Sequence, residues 1–153
     1  MFNEVSFYCL SELEEIIFNL QREVEFVSFT SSPQYNGVGT HKLEDLKDKN
    51  NNGGICVQSP YNIIIELNME HEIDSIEIAG YGGNKNAWDP GNGAYAVISV
   101  SKNKSDWTIV GNIPGNYSQN SQIVKITKSS FKYIRLQHTS YLGIGYLKLI
   151  KAK

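Results

Sequence analysis

The stretch SVSKNKSDWTIVG, residues 99–111, has the pattern of two β-strands joined by a polar turn. Val100 lies in the strand before the turn, and Trp107 stands directly after the charged residues at the start of the second strand. A large ring in that place can close the end of a hydrophobic core beside the turn. We therefore predict a hairpin here, with Trp107 as a core residue and not as a ligand platform.

The two-residue period of this hairpin recurs along most of the chain. In KYIRLQH, residues 132–138, Ile134 and Leu136 share one face of the predicted strand, and polar residues take the other. Eight strand-like runs without helices between them predict an all-β sandwich or barrel. The runs are VEFVSFTSS, NIIIELNM, IDSIEIAGY, AYAVISVS, DWTIVGNI, QIVKITK, KYIRLQHT and GYLKLIK.

One segment alone, SELEEIIFNLQREV at residues 11–24, has the pattern of a helix. Ser11 and Glu14 have the spacing of a capping box. The apolar residues that follow form one helical stripe, which must be buried against the chain's own sheet or against a partner. We predict an N-terminal helical extension at residues 1–23 and a β-sandwich domain at residues 24–153. The stripe consists of Leu13, Ile16, Ile17, Leu20 and Val24.

Size, charge and apolar patterning exclude several classes of protein. A chain of 153 residues is long enough for one domain that needs no disulfide to fold. Its formal charge of −2 argues against a dedicated nucleic-acid binder. The first residues lack the pattern of a signal peptide, and no apolar run is long enough to cross a bilayer, so we expect a soluble protein made in the cytoplasm.

Two cysteines and three histidines give no sign of a metal or redox site. Cys9 and Cys56 are far apart in the sequence, so we expect buried or idle thiols. His41, His71 and His138 have no ligand spacing. The motifs GxSxG, HExxH, GxxxxGK and GxGxxG are all missing, so we predict a protein without catalytic activity.

Three stretches together resemble a known family. VISVSKNKSDWTIVGNI, residues 97–113, resembles the strand, turn and tryptophan signature of discoidin domains, also called coagulation-factor type C domains, and of related galactose-binding-like carbohydrate modules. FKYIRLQHTSYLGIGYLKLI resembles their closing strands, and VEFVSFTSSPQYNG with HKLEDLKDKNNNGG resembles their opening strand and loop. The resemblance covers about residues 24–151. It implies a jelly-roll sandwich of about eight antiparallel strands that binds through loops at one end.

The sequence offers one long glycine-rich loop as a binding segment, GYGGNKNAWDPGNG at residues 80–93. Sugar recognition needs a flat aromatic face for the apolar side of the ring, together with amides or carboxylates for the hydroxyls. Two interpretations of the tryptophan stay open, a ligand platform or a plug that closes its own loop. The candidate ligand-binding residues of this loop are Tyr81, Asn84, Asn86, Trp88 and Asp89.

The resemblance also brings other loops to the same end of the fold. It implies that Tyr35, His41 and Tyr141 line one shallow site together with Trp88, which is an analogy at the level of the fold. No cofactor is required. Many of the resembled modules hold a structural calcium ion, for which Asp45 and Asp48 are the candidate ligands, although Lys148 is unfavourable to a cation at the corresponding end of the last strand.

Two function classes follow from these observations. In the first, the chain is a non-catalytic attachment module of a larger assembly, such as a decoration, tail or baseplate component of a virus or phage, with glycan recognition through its end loops. In the second, it is a free-standing lectin-like carbohydrate-binding protein. The predicted partners are carbohydrate and other protein subunits, with the helix residues Leu13, Ile16, Ile17 and Leu20 for assembly, and a homo-oligomer is left open.

Overall fold

The computed structural model describes residues 12–14, 17, 22–49, 53–82 and 88–153. These residues form nine β-strands and a short 3₁₀ helix, Leu43–Lys47, which confirms the prediction of an all-β chain. The strands are β1 (Phe26–Ser31), β2 (Gln34–Gly39), β3 (Ile55–Val57), β4 (Asn62–Ala79), β5 (Val97–Ser101), β6 (Thr108–Asn112), β7 (Gln122–Gln137), β8 (Leu142–Ile144) and β9 (Tyr146–Lys151).

The strands form two antiparallel sheets that make a β-sandwich. The large sheet has six strands in the order β1-β4-β7-β5-β6, with β9 paired to β4 beyond the end of β1. The small sheet has the order β2-β3-β8. The predicted sandwich is therefore confirmed, with one strand more than expected.

Four of the predicted runs merge into two long strands. The runs at residues 62–69 and 73–81 fall in the single strand β4, and those at residues 122–128 and 132–139 fall in β7. The pairing register of β4 shifts between Ile73 and Ser75, where a bulge inserts an extra residue. Before the bulge the buried residues of β4 are odd-numbered, with Met69 only half-buried, and after it Ile76 and Ile78 are buried. The bulge thus keeps the apolar side of the strand toward the core.

The three strands of the small sheet are not among the predicted runs. β3 and β8 have only three residues each and are buried throughout, so they show no alternation along the sequence. β2 contains Gly37 and Gly39, both with positive φ angles. Strands of this kind carry no two-residue period, and they are fixed by their pairing with one another.

The hydrophobic core lies between the two sheets. Phe131 is its largest fully buried side chain, and Leu46 of the 3₁₀ helix closes the core from the side of β9. Cys56 is a buried free thiol, as predicted, and burial raises its pKa well above the usual range. Its thiolate is therefore disfavoured, and the group is chemically quiet at neutral pH. Cys9 lies outside the described residues.

The prediction that Trp107 is a core residue is wrong. Its side chain is half-buried, and the guanidinium carbon of Arg135 lies 4.3 Å from the centroid of its ring. Val100 and Val110 supply the core contacts of this hairpin instead. Arg135 belongs to the outward-facing residues of β7, so the indole lies on the outer face of the sheet and is partly covered by a cation.

Residues 22–25 fasten the N-terminal segment to the middle of β4. The Asn68 side chain accepts a hydrogen bond from the backbone NH of Glu25 and donates one to the carbonyl oxygen of Glu23. Lys151 donates to the carbonyl oxygen of Arg22. Whether a domain boundary lies at residue 23 stays a prediction.

The predicted helix is described only in part. Residues 12–14 and 17 are helical, whereas Ile16 and Leu20 lie outside the described residues. Leu13 and Ile17 of the apolar stripe are 53% and 45% exposed. In the described part of the chain, no helix is both long and apolar enough to span a membrane.

We expect replacement of Tyr117 by phenylalanine to destabilise the sandwich. The buried Tyr117 hydroxyl donates to the carbonyl oxygens of Ala79 and Gly143, which lie 3.0 and 2.8 Å away. Loss of the hydroxyl removes this donor from both carbonyl oxygens, although that of Ala79 keeps a hydrogen bond from the backbone NH of Gly145. The free energy of unfolding should fall by about 0.5–1.5 kcal/mol in urea denaturation. The matched change at the exposed Tyr95 should have an effect below about 0.5 kcal/mol. Equal effects at both positions would contradict the role given to this hydroxyl.

Candidate functional site

Several strand ends of the large sheet lie together at one end of the sandwich. Asn62 of β4 and Val97 of β5 both pair with Gln137 of β7, and Val97 also pairs with Asn112 of β6. Side chains carried by the connections at this end can therefore meet. The parts of the connections at this end are residues 32–33, 58–61, 94–96, 113–115 and 138–141.

Four aromatic rings meet at this end, and we call them the end cluster: Tyr35, Tyr61, Trp88 and Tyr141. Tyr141 contacts the other three rings, with centroid distances of 5.0 Å to Tyr35, 6.0 Å to Tyr61 and 6.1 Å to Trp88. The rings of Tyr35 and Trp88 are 5.4 Å apart. All four distances fall in the range at which edge-to-face and tilted aromatic pairs attract each other.

Trp88 forms the floor of the end cluster. Its side chain is only 4% exposed and packs with Val38, Cys56 and Tyr81 in a small apolar cluster. The backbone of β8 passes close beneath it, because a methyl group added at Gly143 would lie 2.8 Å from Cζ2 of the indole. Of the two interpretations of Trp88, the structure shows the plug. Its Nε1–H has no hydrogen-bond partner among the described residues.

Hydrogen bonds to the backbone hold the segments that carry these rings. The Gln34 side-chain amide donates to the carbonyl oxygens of Val38 and Gly39 at 3.3 and 3.0 Å, which fixes the strand that carries Tyr35. The backbone NH of His138 donates to the carbonyl oxygen of Tyr61 at 3.1 Å. The bond between His138 and Tyr61 links the connections at residues 58–61 and 138–141. It therefore fixes the position of Tyr61 relative to that of Tyr141.

The turn after Trp88 is closed by Asp89. Its carboxylate accepts a hydrogen bond from the backbone NH of Gly91 at 2.8 Å, and its carbonyl oxygen accepts one from Asn92. This is the local bonding expected of an aspartate in a turn. The side chain of Asp89 is nevertheless exposed and stands beside the end cluster in sequence.

The end cluster presents a mixed aromatic and polar surface. Tyr141 is 42% exposed, whereas Tyr35 and Tyr61 are partly buried. The half-buried His138 follows β7 directly, and burial lowers its pKa below the usual value. The imidazole is therefore neutral at pH 7 and offers one donor and one acceptor.

The structure brings together three of the predicted ligand-binding residues, Tyr35, Trp88 and Tyr141. Sequence reasoning missed Tyr61, although its position between Pro60 and a strand marked it as a turn residue. Tyr81 is 3% exposed and supports Trp88 from within. Asn84 and Asn86 lie outside the described residues.

His41 occupies a different place from the end cluster. Its ring packs edge-on against Phe29 with a centroid distance of 5.1 Å, and its Nε2 lies 3.4 Å from the hydroxyl of Ser31. Both partners belong to β1. Burial lowers the pKa of His41, and its Nδ1 has no hydrogen-bond partner among the described residues.

The predicted calcium ligands lie near the 3₁₀ helix. Asp45 is part of this helix and packs closely on Gly53, while Asp48 is the exposed residue that ends it. Among the described residues, no three His, Cys, Asp or Glu side chains converge in a way that could hold a metal ion. Lys148 pairs with Glu77 across β9 and β4. Hydrogen bonds from Lys49 and Ser121 lower the pKa of the Glu77 carboxyl, and the charge of Lys148 adds a smaller effect in the same direction. Calcium binding stays a prediction.

Comparison with solved structures identifies the fold as that of family 32 carbohydrate-binding modules. CpGH89CBM32-5 from Clostridium perfringens, in complex with GalNAc-β-1,3-galactose, has a TM-score of 0.60 and 16% identity over 83% of this chain and 94% of that chain. The module of AlyQ, in complex with 4,5-unsaturated mannuronic acid, has a TM-score of 0.64 and 15% identity over 86% of this chain and 100% of that chain. The module of Streptococcus pneumoniae EndoD has a TM-score of 0.59 and 13% identity over 88% and 99%.

The chain has a carbohydrate-binding-module fold. The resemblance to discoidin and galactose-binding-like domains is thereby confirmed, and the jelly-roll sandwich with it. No family model matches the sequence, and no curated protein matches it. At these identities the likeness shows the fold alone.

We expect the substitution Trp88→Ala to lower the free energy of unfolding by about 3–5 kcal/mol, because it empties the floor of the end cluster. The change Trp107→Ala on the outer face should cost only roughly 1 kcal/mol, the order of a partly exposed cation–π contact. Urea denaturation of both variants measures the difference. A smaller effect at Trp88 than at Trp107 would contradict the assignment of Trp88 as a plug.

Proposed function

We propose that this chain binds glycans without catalysing a reaction, and that the end cluster is its binding site. The observation that carries the proposal is the meeting of Tyr35, Tyr61 and Tyr141 over the buried Trp88, with Tyr141 left 42% exposed. A large ring supported from below by other rings is held in place before any ligand arrives. Such preorganisation reduces the entropy lost on binding.

The chemistry of this surface suits a sugar. The exposed face of Tyr141 can stack on the apolar C–H face of a pyranose ring, and phenol hydroxyls can bond its hydroxyl groups. The neutral His138, in the same connection as Tyr141, adds a donor and an acceptor. Similar folds in complex with GalNAc-β-1,3-galactose and with an unsaturated mannuronic acid support glycans as the ligand class. A further neighbour, truncated AlyQ, has such a module beside alginate lyase domains, so the fold also occurs within enzymes.

We expect Tyr141→Ala to weaken glycan binding at least about tenfold, because it removes a stacking surface while leaving Trp88 in place. The matched variant Tyr141→Phe keeps the ring and should retain most of the affinity. A glycan array identifies the ligand first, and isothermal titration calorimetry with that ligand compares the two variants.

Folding controls decide how a loss of binding is interpreted. Both variants should show the circular dichroism spectrum of the wild-type chain, since Tyr141 is partly exposed. Tyr141→Ala loses ring contacts with Tyr35, Tyr61 and Trp88, so its urea midpoint should fall, whereas Tyr141→Phe should keep the wild-type midpoint. Glycan binding that survives Tyr141→Ala at full strength would contradict the end cluster as the site. A wild-type chain that binds no glycan on a broad array would contradict glycan recognition itself.

We further propose that the N-terminal extension joins the module to other subunits. Leu13 and Ile17 lie in helical backbone and are about half-exposed, so the sandwich does not cover the apolar stripe at these two positions. An apolar stripe in water favours association with a partner. Whether that partner belongs to a virion or phage appendage stays a prediction.

We expect the full chain to associate and a chain beginning at Arg22 to be monomeric in analytical ultracentrifugation. The shorter chain keeps the contacts of residues 22–25 with Asn68 and Lys151, so its sandwich should remain folded. The double substitution Leu13→Ser and Ile17→Ser in the full chain should have the same effect as the truncation. Identical association states for all three proteins would contradict assembly through the extension.

A further inference from the structure

Tyr95 is the most exposed large apolar side chain in the described part of the chain. It is 71% exposed and belongs to the connection at residues 94–96, at the same end of the sandwich as the end cluster. Among the described residues, no ring of the end cluster contacts it. This end of the fold therefore presents two separate exposed aromatic surfaces, Tyr141 and Tyr95.

The backbone of Tyr95 is in a conformation that tyrosine rarely adopts. Its φ angle is 70°, in the left-handed region, where a bulky side chain is an outlier. Such a conformation costs stability, persists only where the surrounding structure imposes it, and is concentrated at functional sites. Core packing does not account for it here, because the neighbouring Ala96 enters the core and the Tyr95 ring does not.

Contacts on both sides hold Tyr95 in this conformation. Its backbone NH donates to the carbonyl oxygen of Ile113 at 2.8 Å, and its own carbonyl oxygen accepts from the side-chain amide of Asn112 at 3.4 Å. The ring lies against Gly115, because a methyl group added there would lie 2.5 Å from Cζ of Tyr95. The exposed ring thus has a fixed seat, which reduces the entropy that a ligand must remove.

Tyr95 is tied to the segment that carries Tyr141. Residues 89–96 form successive hydrogen-bonded turns. Within them, the carbonyl oxygen of Asn92 accepts a hydrogen bond from the backbone NH of Gly143 at 3.1 Å. Gly143 lies two residues after Tyr141, and Asn92 lies three residues before Tyr95. The reach of these short segments places the Cα atoms of the two tyrosines within roughly 20 Å of each other.

Polar side chains lead from one tyrosine to the other. Val97, two residues after Tyr95, pairs with Gln137 at the end of β7. The connection that begins there ends at Tyr141, so it runs from the side of Tyr95 to the end cluster. It carries an imidazole and two exposed hydroxyls, which can donate to and accept from sugar hydroxyls. These groups belong to His138, Thr139 and Ser140.

We infer that Tyr95 is a second stacking surface of the glycan site, and that the site takes an oligosaccharide of several units and not a single terminal sugar. One unit stacks on Tyr141, the following units pass the connection at residues 138–140, and a later unit stacks on Tyr95. A single pyranose ring covers one aromatic face at a time, so a monosaccharide binds at Tyr141 alone. The inference rests on the glycan binding proposed for the end cluster and names the class of glycan.

The test measures affinity against ligand length. The probes are gluco-, galacto- and manno-oligosaccharides and their uronic acid counterparts, each from monosaccharide to hexasaccharide, on a glycan array and then in isothermal titration calorimetry. We expect the affinity of the wild-type chain to rise with length. Tyr95→Asn should weaken binding of the hexasaccharide roughly threefold to tenfold, the loss of one aromatic contact, and leave binding of the monosaccharide unchanged.

Two further variants separate binding from folding. Asparagine adopts positive φ angles more readily than tyrosine, so Tyr95→Asn should keep or raise the urea midpoint. Gly115→Ala leaves Tyr95 in the chain but displaces its ring, and it should weaken hexasaccharide binding in the same way. The matched control Ile109→Thr removes another exposed apolar side chain, on β6, and should leave the affinity unchanged at every length.

Equal affinity of the wild-type chain for monosaccharide and hexasaccharide would overturn the second stacking surface. So would full hexasaccharide binding by Tyr95→Asn, or a lower urea midpoint of that variant, which would make the ring a part of the fold. If Tyr141→Ala still weakens monosaccharide binding in these cases, the function proposed for the end cluster stands and only this inference fails. No binding of any probe by the wild-type chain would overturn the inference outright, and the broad array then decides whether the end cluster binds glycans at all.

Discussion

β4 and β7 pair with each other from Asn62 and Gln137 at one end to Ile78 and Gln122 at the other, and all remaining strands of the large sheet except β6 pair directly with one of them. β1 and β9 add to successive halves of β4, and β5 adds to the second half of β7. The bulge in β4 keeps its isoleucines toward the core on both sides of it, with Ile64 as the exception on the outer face. The ends of the two long strands then set where the connections meet, which is why aromatic residues distant in sequence form one end cluster.

The strands could be predicted where burial of one face leaves a two-residue alternation of apolar and polar residues in the sequence. The alternation in β1, β4, β6, β7 and β9 was visible, because each has one face toward the core and one toward water. β5 also alternates in sequence, although its serines Ser99 and Ser101 are buried as well. The small sheet left no such signal, since β3 and β8 are covered on both faces. The side on which Trp107 lies depends on Arg135, which is 28 residues away in sequence, and strand patterns carry no information about that contact.

The aromatic character of the candidate site could be predicted from the sequence, but only some of the residues that form it could. Aromatic residues in connecting loops pointed to Tyr35, Trp88 and Tyr141, and the fold brings these together. The burial of Trp88 depends on Gly143, whose missing side chain makes room for the indole. His41 was placed with them by analogy, but its loop turns toward β1 instead. Contacts between loops are set by tertiary packing, so residue type alone does not decide them.

Residues 22–25 attach to β4 at Asn68, and this position matters when several copies of the chain assemble. β4 begins at Asn62, directly after Tyr61 of the end cluster. Asn68 lies six residues farther along the strand, a distance of about 20 Å at the rise of a β-strand. An anchor at that point leaves the end cluster uncovered. Copies held together through their N-terminal segments would present several end clusters at once. If each end cluster binds a glycan as proposed, each bound copy would raise the effective concentration for the next, so a weak contact with a single sugar would become firm retention on a surface that displays many of them.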